Sequence, residues 1–585
     1  MLYDFILSFM RKESRAKGFV IITPAGLISA HFSFNTANTN HMNNYKKPKN
    51  TSLRALCAAI ALCLALGACA APRQISVVQH PSAQSATDHG FSRTTNTAAF
   101  ADLAYDEWSL DYKPSERREH TLLIYMNGSD LESETAAGTD DLKEFVRSGV
   151  DEFSVNVVIF TGGANRWHTS AVPSDECAVS TLHDGKIEQL ATLGQRDMGN
   201  AGTLASFIRF GLEGFPAERT SLILWDHGGG SIAGYGADEN FNMSTLTLLE
   251  LEYAFEKAGL AENRLELLGF DACLMATVEM AVVAAGYADY LLASENVEPG
   301  DGWDYSTISV LSGGATGEEL GIAICHSFAD YYKNSREEFT LSLVRTSNAE
   351  NLMGALGLLA GAAMETLDDH GFTQLRASRG STKTFGGGTP LDASCDMIDI
   401  LDFALALEPR FPKESKLVQN ALLRAVLYSV YCSDTALGGL SVYHLYSERG
   451  DINRSLAVYK ALNMSREYTE YLTAFADALD QGGKESVPAE KPQYTQLLGK
   501  QVEMYEVSAT DIGAVYAVSA NVNDEAAELL VYRPRGGTKS ASCDELLGYR
   551  QRDGYLVQKG YDKLLPEDEV VLLSRASLQS DPAAK

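Results

Sequence analysis

From about residue 120 onward, apolar and polar positions fall into alternating strand-like and helix-like stretches. His120-Thr121-Leu122-Leu123-Ile124-Tyr125 is a β-branched and aromatic run closed by Asn127-Gly128-Ser129-Asp130, which predicts a buried strand and its exit. The same reading predicts strands at Val155 to Phe160, Ser221 to Trp225, Leu265 to Phe270, Tyr290 to Ala293 and Phe339 to Val344. Helices are expected over about 140–147, 204–212, 274–285, 317–332 and 349–367. Thr247 and Glu250 have the spacing of a capping box, opening a helix with apolar positions at 248, 251, 254, 255 and 258 that Gly259 closes. Cys177 to Leu182 and Gly185 to Gln189 read as a hairpin turning at His183-Asp184-Gly185. Strands separated by helices run parallel, because the crossover returns the chain to the edge it left. The expected fold class is α/β, a mostly parallel sheet covered by helices on both faces.

Outside this region the period weakens. Residues 70–117 are rich in Ser, Thr, Asn and Gln and read as a flexible tether. Gly and Ser-Thr cluster over 376–389, an expected exposed loop or boundary. From 391 to 479 the pattern is mainly helical, interrupted by the strand-like Gly439-Leu440-Ser441-Val442-Tyr443. A second linker follows over 481–492. Short β-like runs such as Ala514 to Val518 and Glu528 to Tyr532 mark a C-terminal β-rich region.

A chain of 585 residues is too long for one core. Its formal charge is −29, although the first 69 residues carry eight Lys/Arg against two Asp/Glu, so the body is more acidic still. Such a surface repels phosphate backbones, and nucleic acid is excluded as a partner. Lys46, Lys47, Lys49 and Arg54 precede an apolar run, Ala55 to Leu66, too short for a comfortable membrane span. That run ends in Leu66-Gly67-Ala68-Cys69, which resembles the lipobox of bacterial lipoproteins and implies cleavage before Cys69 and lipid on its thiol. An exported cell-envelope protein is expected, attached to a membrane through that lipid. Residues 1–41 have no role in such a signal, and Met42 would open one of ordinary length, so 1–41 is read as lying upstream of the real start. The other six cysteines (177, 273, 325, 395, 432 and 543) contain no CxxC pair, which excludes a zinc ribbon and a dense disulfide scaffold.

Two strand exits carry the candidate chemistry. Ser221 to Asp226 runs into His227-Gly228-Gly229-Gly230, and Leu265 to Phe270 runs into Asp271-Ala272-Cys273. One helix lies between them, so the two strands are parallel neighbours. Imidazole and thiol then share the carboxyl edge where open α/β sheets place ligands. An imidazole raises the thiolate fraction or takes the thiol proton during attack. The N–H groups of Gly228 and Cys273 are candidate oxyanion donors. His-Gly-Gly-Gly also suggests an esterase oxyanion loop, but no G-x-S-x-G elbow occurs in the chain.

Leu224-Trp225-Asp226-His227-Gly228-Gly229 and Gly269-Phe270-Asp271-Ala272-Cys273-Leu274-Met275, with Ile124-Tyr125-Met126-Asn127-Gly128 and Gly439 to Tyr443, resemble the clostripain family of cysteine peptidases, part of the caspase-like clan. The resemblance covers roughly Arg118 to Tyr446. It implies a caspase-like catalytic domain at 118–375, followed by a helical extension at 376–490 and the β-rich region at 491–585. It implies Cys273 as nucleophile, His227 as base, Gly228 in the oxyanion hole and Asp271 in a pocket for a basic P1 side chain. Asp301, in the loop after the next strand, is a second candidate pocket acid by position. The implied partner is a protein or peptide substrate with basic residues, cut after Arg or Lys. No cofactor is implied; some relatives depend on calcium, but no loop here resembles an EF-hand. Relatives mature by self-cleavage at a basic residue between the His and the Cys. Here no Lys or Arg lies between His227 and Glu256, so a single uncleaved chain is expected. Two alternatives stand beside this reading: a surface lipoprotein that binds basic peptides without turnover, and a clan peptidase preferring Asp or Asn at P1.

Overall fold

A computed structural model describes residues 19–23, 26–30, 75–80, 89–335, 337–367, 369–386, 396–433, 435–445 and 452–482, together with six strands beyond residue 492. The chain divides into two compact units, Met1–Ala71 and Pro72–Lys585. In the first, Phe19–Thr23 pairs antiparallel with Gly26–Ala30. The apolar run at 55–66 and Cys69 lie outside the described residues.

The second unit is built on a ten-stranded sheet: β1 (Ile75–Gln79), β2 (Arg118–Asn127), β3 (Val155–Gly162), β4 (Ala178–His183), β5 (Lys186–Thr192), β6 (Ala217–Trp225), β7 (Leu265–Asp271), β8 (Ala288–Ala293), β9 (Phe339–Arg345) and β10 (Val426–Cys432). Their spatial order is β1-β10-β9-β8-β7-β6-β2-β3-β4-β5. The central strands β8, β7, β6, β2 and β3 are mutually parallel, as helix-linked neighbours must be, and antiparallel strands extend both edges. On β2, Leu122, Ile124 and Met126 enter one apolar core while Leu123 and Tyr125 enter the other. That is why a strand with a strict period of two reads as an unbroken apolar run: both faces are covered. The helices Ala137–Arg147 and Gly317–Tyr332 cover one face; Ala201–Gly214, Leu248–Lys257, Val278–Ala284 and Ala349–Met364 cover the other.

Local signals hold where they were strong. Thr247 and Glu250 close the capping box at the start of Leu248–Lys257. The hairpin β4–β5 turns at Asp184 and Gly185, both with positive φ. Strands Gly513–Asn521 and Ala527–Tyr532 fall where alternation predicts them, within a six-stranded antiparallel sheet.

Four expectations are corrected. The polar stretch 70–117 is not all tether: β1 pairs with β10, the Trp108 ring stacks on Phe160 at 5.5 Å, and Arg93 forms a buried ion pair with Glu252. A few large side chains hold this stretch, and average composition hides them. The expected loop at 376–389 begins inside the helix Asp369–Ser381, where the buried Arg379 donates to the His444 carbonyl at 2.9 Å and to Asp396 at 3.2 Å. Val426–Cys432, read as helical, is β10 in the sheet; its β-branched and aromatic residues are buried on both faces. The helix expected from 274 starts at Val278, because Ala276 first joins Ser294 and Ser441 through backbone hydrogen bonds.

Candidate active site

Parallel pairing of β6 and β7 sets Trp225 opposite Asp271, so His227 and Cys273 each lie two residues beyond one registered pair. The two exits touch. A Cβ at Gly228 would collide with the carbonyl oxygen of Cys273, so only glycine allows this approach. Gly229 donates to Gly234 at 2.8 Å and Gly236 to the His227 carbonyl at 2.9 Å, which holds the His-Gly turn against the segment that follows it. Among the described residues, the Gly228 N–H donates to no acceptor.

His227 is half exposed, and its Nε2 lies 2.8 Å from Asp130 Oδ1 in the turn after β2. An ionised carboxylate can only accept, so Nε2 carries the hydrogen and Nδ1 is left as the basic nitrogen. Partial burial raises the Asp130 carboxyl, but the hydrogen bond and charge of His227 outweigh it and hold Asp130 below the usual range. Cys273 is partly exposed, and its Sγ accepts from the Glu298 N–H at 3.3 Å. That donor favours the thiolate. Leu274 follows with φ of 65°, a strained conformation for a branched side chain, and its N–H donates to Asn296 at 3.1 Å. The turn thus holds the thiol at the sheet's edge.

Asp271 is buried beside the thiol. Its Oδ2 accepts from the Tyr305 hydroxyl at 2.7 Å and the Trp303 N–H at 3.4 Å, and Gly302 packs against its Oδ1. Burial pushes the Asp271 carboxyl up to about 6, against the lowering effect of these hydrogen bonds. The Glu298 carboxyl is buried near it, and burial and the charge of Asp271 drive that carboxyl well above the carboxylate range. Asp141, on the helix Ala137–Arg147, accepts from the Trp225 indole at 2.7 Å and is raised by burial and then by Asp271.

Four of the five residues singled out at the strand exits and their loops therefore gather at one edge: His227, Gly228, Asp271 and Cys273. Asp301 stands in the loop beside them, next to Gly302, and acts on Tyr332 together with Asp271 and Glu298. It is exposed and accepts from the Tyr331 hydroxyl at 2.7 Å, while the carboxyl of Glu298, three residues earlier, is buried near Asp271. Three acids escaped the sequence reading. Asp130 stood in the recognised turn after β2 and Glu298 in the recognised loop after β8, but only the fold chose them from among their neighbours. Asp141 carries no signal of its own.

A family model described as Peptidase_C11, clostripain family, matches residues 124–481, more than half of the chain and past Tyr446, where the motif resemblance stops. No curated protein matches. Among the solved structures similar to it are three C11 proteases. Two are secreted C11 cysteine proteases from Bacteroides thetaiotaomicron. One of these, in complex with an irreversible peptide inhibitor, shares 17% identity over 61% of this chain and 99% of that one, with a TM-score of 0.45. The other, iotapain, shares 18% identity over 62% and 99%, with a TM-score of 0.46. The third is an inactive zymogen C11 protease from Parabacteroides distasonis, with 20% identity over 60% and 99% and a TM-score of 0.45.

Proposed function

Because the chain belongs to the clostripain family of cysteine peptidases, we propose that it is an endopeptidase that cleaves after Arg or Lys, with Cys273 as nucleophile and His227 as base. The observation that carries this is the registered pairing of β6 and β7, which sets both exits side by side with Gly228 against Cys273. His227 Nδ1 takes the Sγ proton while Asp130 holds the ring through Nε2 and stabilises the imidazolium. The thiolate attacks the scissile carbonyl carbon. The oxyanion accepts hydrogen bonds from the N–H of Gly228 and of Cys273. The imidazolium then protonates the leaving amine, and His227 activates the water that hydrolyses the thioester. Glu144 and Glu298 act on or near Asp271, so a basic side chain entering beside it would meet a cluster of acids, the condition that favours Arg or Lys over Asp or Asn.

Fluorogenic peptides varied only at P1 test this. Turnover of Arg and Lys peptides that disappears in Cys273→Ala supports it; equal turnover in that variant removes Cys273 from the mechanism. Asp or Asn peptides as the better substrates would reverse the pocket assignment, and no turnover of any peptide would leave a basic-peptide binder.

The second part of the reading concerns location. The lipobox resemblance at Leu66 to Cys69 supports export and lipid attachment at Cys69, with protein or peptide substrates met outside the cytoplasm. Radiolabelled palmitate incorporation and membrane partition, both lost in Cys69→Ala, are the expected results. Label retained in that variant would refute attachment at Cys69.

A further inference from the structure

The loop that presents Gly228 is held from behind by one buried acid. After His227-Gly228-Gly229 the chain makes a single helical turn, Gly230–Ala233, and the buried Ser231 in it donates through Oγ to Glu279 Oε2 at 2.8 Å. Glu279 lies in the first turn of the helix Val278–Ala284, six residues past Cys273, and is sealed from solvent. Its Oε1 accepts from the Tyr443 N–H at 3.1 Å and from the Tyr459 hydroxyl. One carboxyl therefore takes three donors from three segments: the turn after His227, the strand Ser441–Tyr443 and the helix Ile452–Ala461. The last two follow β10 and lie outside the parallel centre. Tyr468, on the helix Arg466–Gly482, ties them together: its hydroxyl donates to the Tyr443 carbonyl at 2.9 Å and its ring stacks on Tyr459 at 6.0 Å. The same part of the chain backs both strand exits. The Ser441 N–H donates to the Ala276 carbonyl at 2.9 Å, and a Cβ on Gly230 would press on Met397 at 3.2 Å.

An apolar side chain would fill the same space without the cost of burying an acid. What the acid supplies is direction: hydrogen bonds have narrow length and angle ranges, so Glu279 fixes Ser231, and with it the turn, against Tyr443 and Tyr459. Ser231 is three residues from Gly228. Oxyanion donors work only when they are set in advance about 3 Å from where the negative oxygen will form. On the reading that Cys273 and His227 are the catalytic pair, we infer that Glu279 is a positioning residue for the oxyanion hole. It clamps the Gly228 loop to Tyr443 and Tyr459, so the chain beyond β10 completes the active site. Glu279 acts through Ser231 and not on the substrate. Glutamine at 279 preserves this arrangement, because its Oε1 still accepts from Tyr443 and Tyr459 while its Nε2 donates to the Ser231 Oγ. Leucine breaks it.

Two probes of the same sulfur separate the oxyanion hole from the nucleophile. A peptide aldehyde ending in Arg forms a bond from Cys273 Sγ to its carbonyl carbon; the C=O π pair moves to the oxygen, which enters the hole and takes up the thiol proton. Iodoacetamide is attacked by Sγ with loss of iodide, and no oxyanion forms. In Ser231→Ala and Glu279→Leu the aldehyde should bind roughly tenfold more weakly, with kcat lowered alongside and KM little changed. The rate at which iodoacetamide abolishes turnover should be unchanged in both, and Glu279→Gln should recover most of the aldehyde affinity and kcat. Unchanged aldehyde affinity in Ser231→Ala and Glu279→Leu would overturn the inference, as would an equal loss of aldehyde affinity and alkylation rate, which marks general damage to the His227–Cys273 pair. A wild type that cuts no peptide and ignores the aldehyde would instead defeat the catalytic reading beneath it. Should Glu279→Leu not fold, Ser231→Ala and Tyr459→Phe each delete one hydroxyl from the same carboxyl. The aldehyde should weaken in both, and full affinity in both overturns the inference.

Discussion

At the scale of single residues, the bond between His227 Nε2 and Asp130 Oδ1 decides which ring nitrogen is basic, and therefore which way its lone pair faces. Replacing Asp130 with Asn keeps the volume but admits an amide that can donate to Nε2 and favour the wrong tautomer. Asp130→Asn should lower kcat by on the order of tenfold or more with KM little changed, and should lower the acidic limb of the pH–rate profile because the imidazolium loses its counter-charge. A kcat loss with an unmoved pH profile would reduce Asp130 to a structural contact. Gly228 is another residue at the strand exits whose identity is forced. A side chain there would drive the His-Gly turn away from Cys273, so Gly228→Ala should abolish turnover, read by the same peptides, while circular dichroism keeps its helical signal.

Among the elements, the helix Leu248–Lys257 is the crossover that makes β6 and β7 parallel neighbours. Its first turn relies on Thr247, whose hydroxyl accepts from the Glu250 N–H while Glu250 returns a bond to the Thr247 N–H at 2.9 Å. Thr247→Ala should cost ~1 kcal/mol of unfolding free energy, measured by denaturant titration, with the P1 preference unaltered. The capping box was legible because its two partners are three residues apart. β1 and β10 were not legible in the same way, since each is specified by a partner about 350 residues distant. Trp108 likewise packs against Phe160 from a stretch rich in Ser, Thr, Asn and Gln. Trp108→Ala should destabilise by ~3 kcal/mol or more, seen as a lower Tm; an unchanged Tm would restore the expectation of a loose tether.

For the molecule as a whole, buried acids give stability an unusual pH dependence. Glu295, in the loop after β8, and Asp399, which caps the helix Ile400–Leu407, accept from the adjacent N–H groups of Gly439 and Gly438; burial and then the charge of Asp399 raise Glu295 well above the carboxylate range. Burial likewise pushes Asp399 up to about 6 and Asp226 up to about 7. A folded-state pKa above the unfolded value means that the folded chain holds a proton the unfolded chain has shed. That contribution is full below about pH 4 and is lost as pH climbs through the folded values. His120 and His444, lowered by burial to about 4 and about 3, act in the opposite sense but only below their unfolded value near 6.5. Above about pH 6.5, where the histidines no longer act, Tm should therefore fall as pH climbs through the folded values near 7, and Glu295→Gln should flatten that fall in differential scanning calorimetry. A variant that declines as steeply as the wild type would assign the effect elsewhere.

By itself the sequence determined the parallel α/β centre, the two strand exits and the placing of His227 and Cys273 just beyond neighbouring strands. All of these depend on local periodicity, caps and short crossovers, whose partners lie close along the chain. It also determined that Gly and Asp flank the pair, and the family model spans the same motifs. Only the tertiary structure decided that Asp130 takes the ring nitrogen, that Glu298 buries its carboxyl and sets its N–H on the Cys273 sulfur, and that β1 and β10 complete the sheet. A carboxylate's role follows from its burial and from the charges around it. Those are set by residues far away in sequence, which no local pattern records.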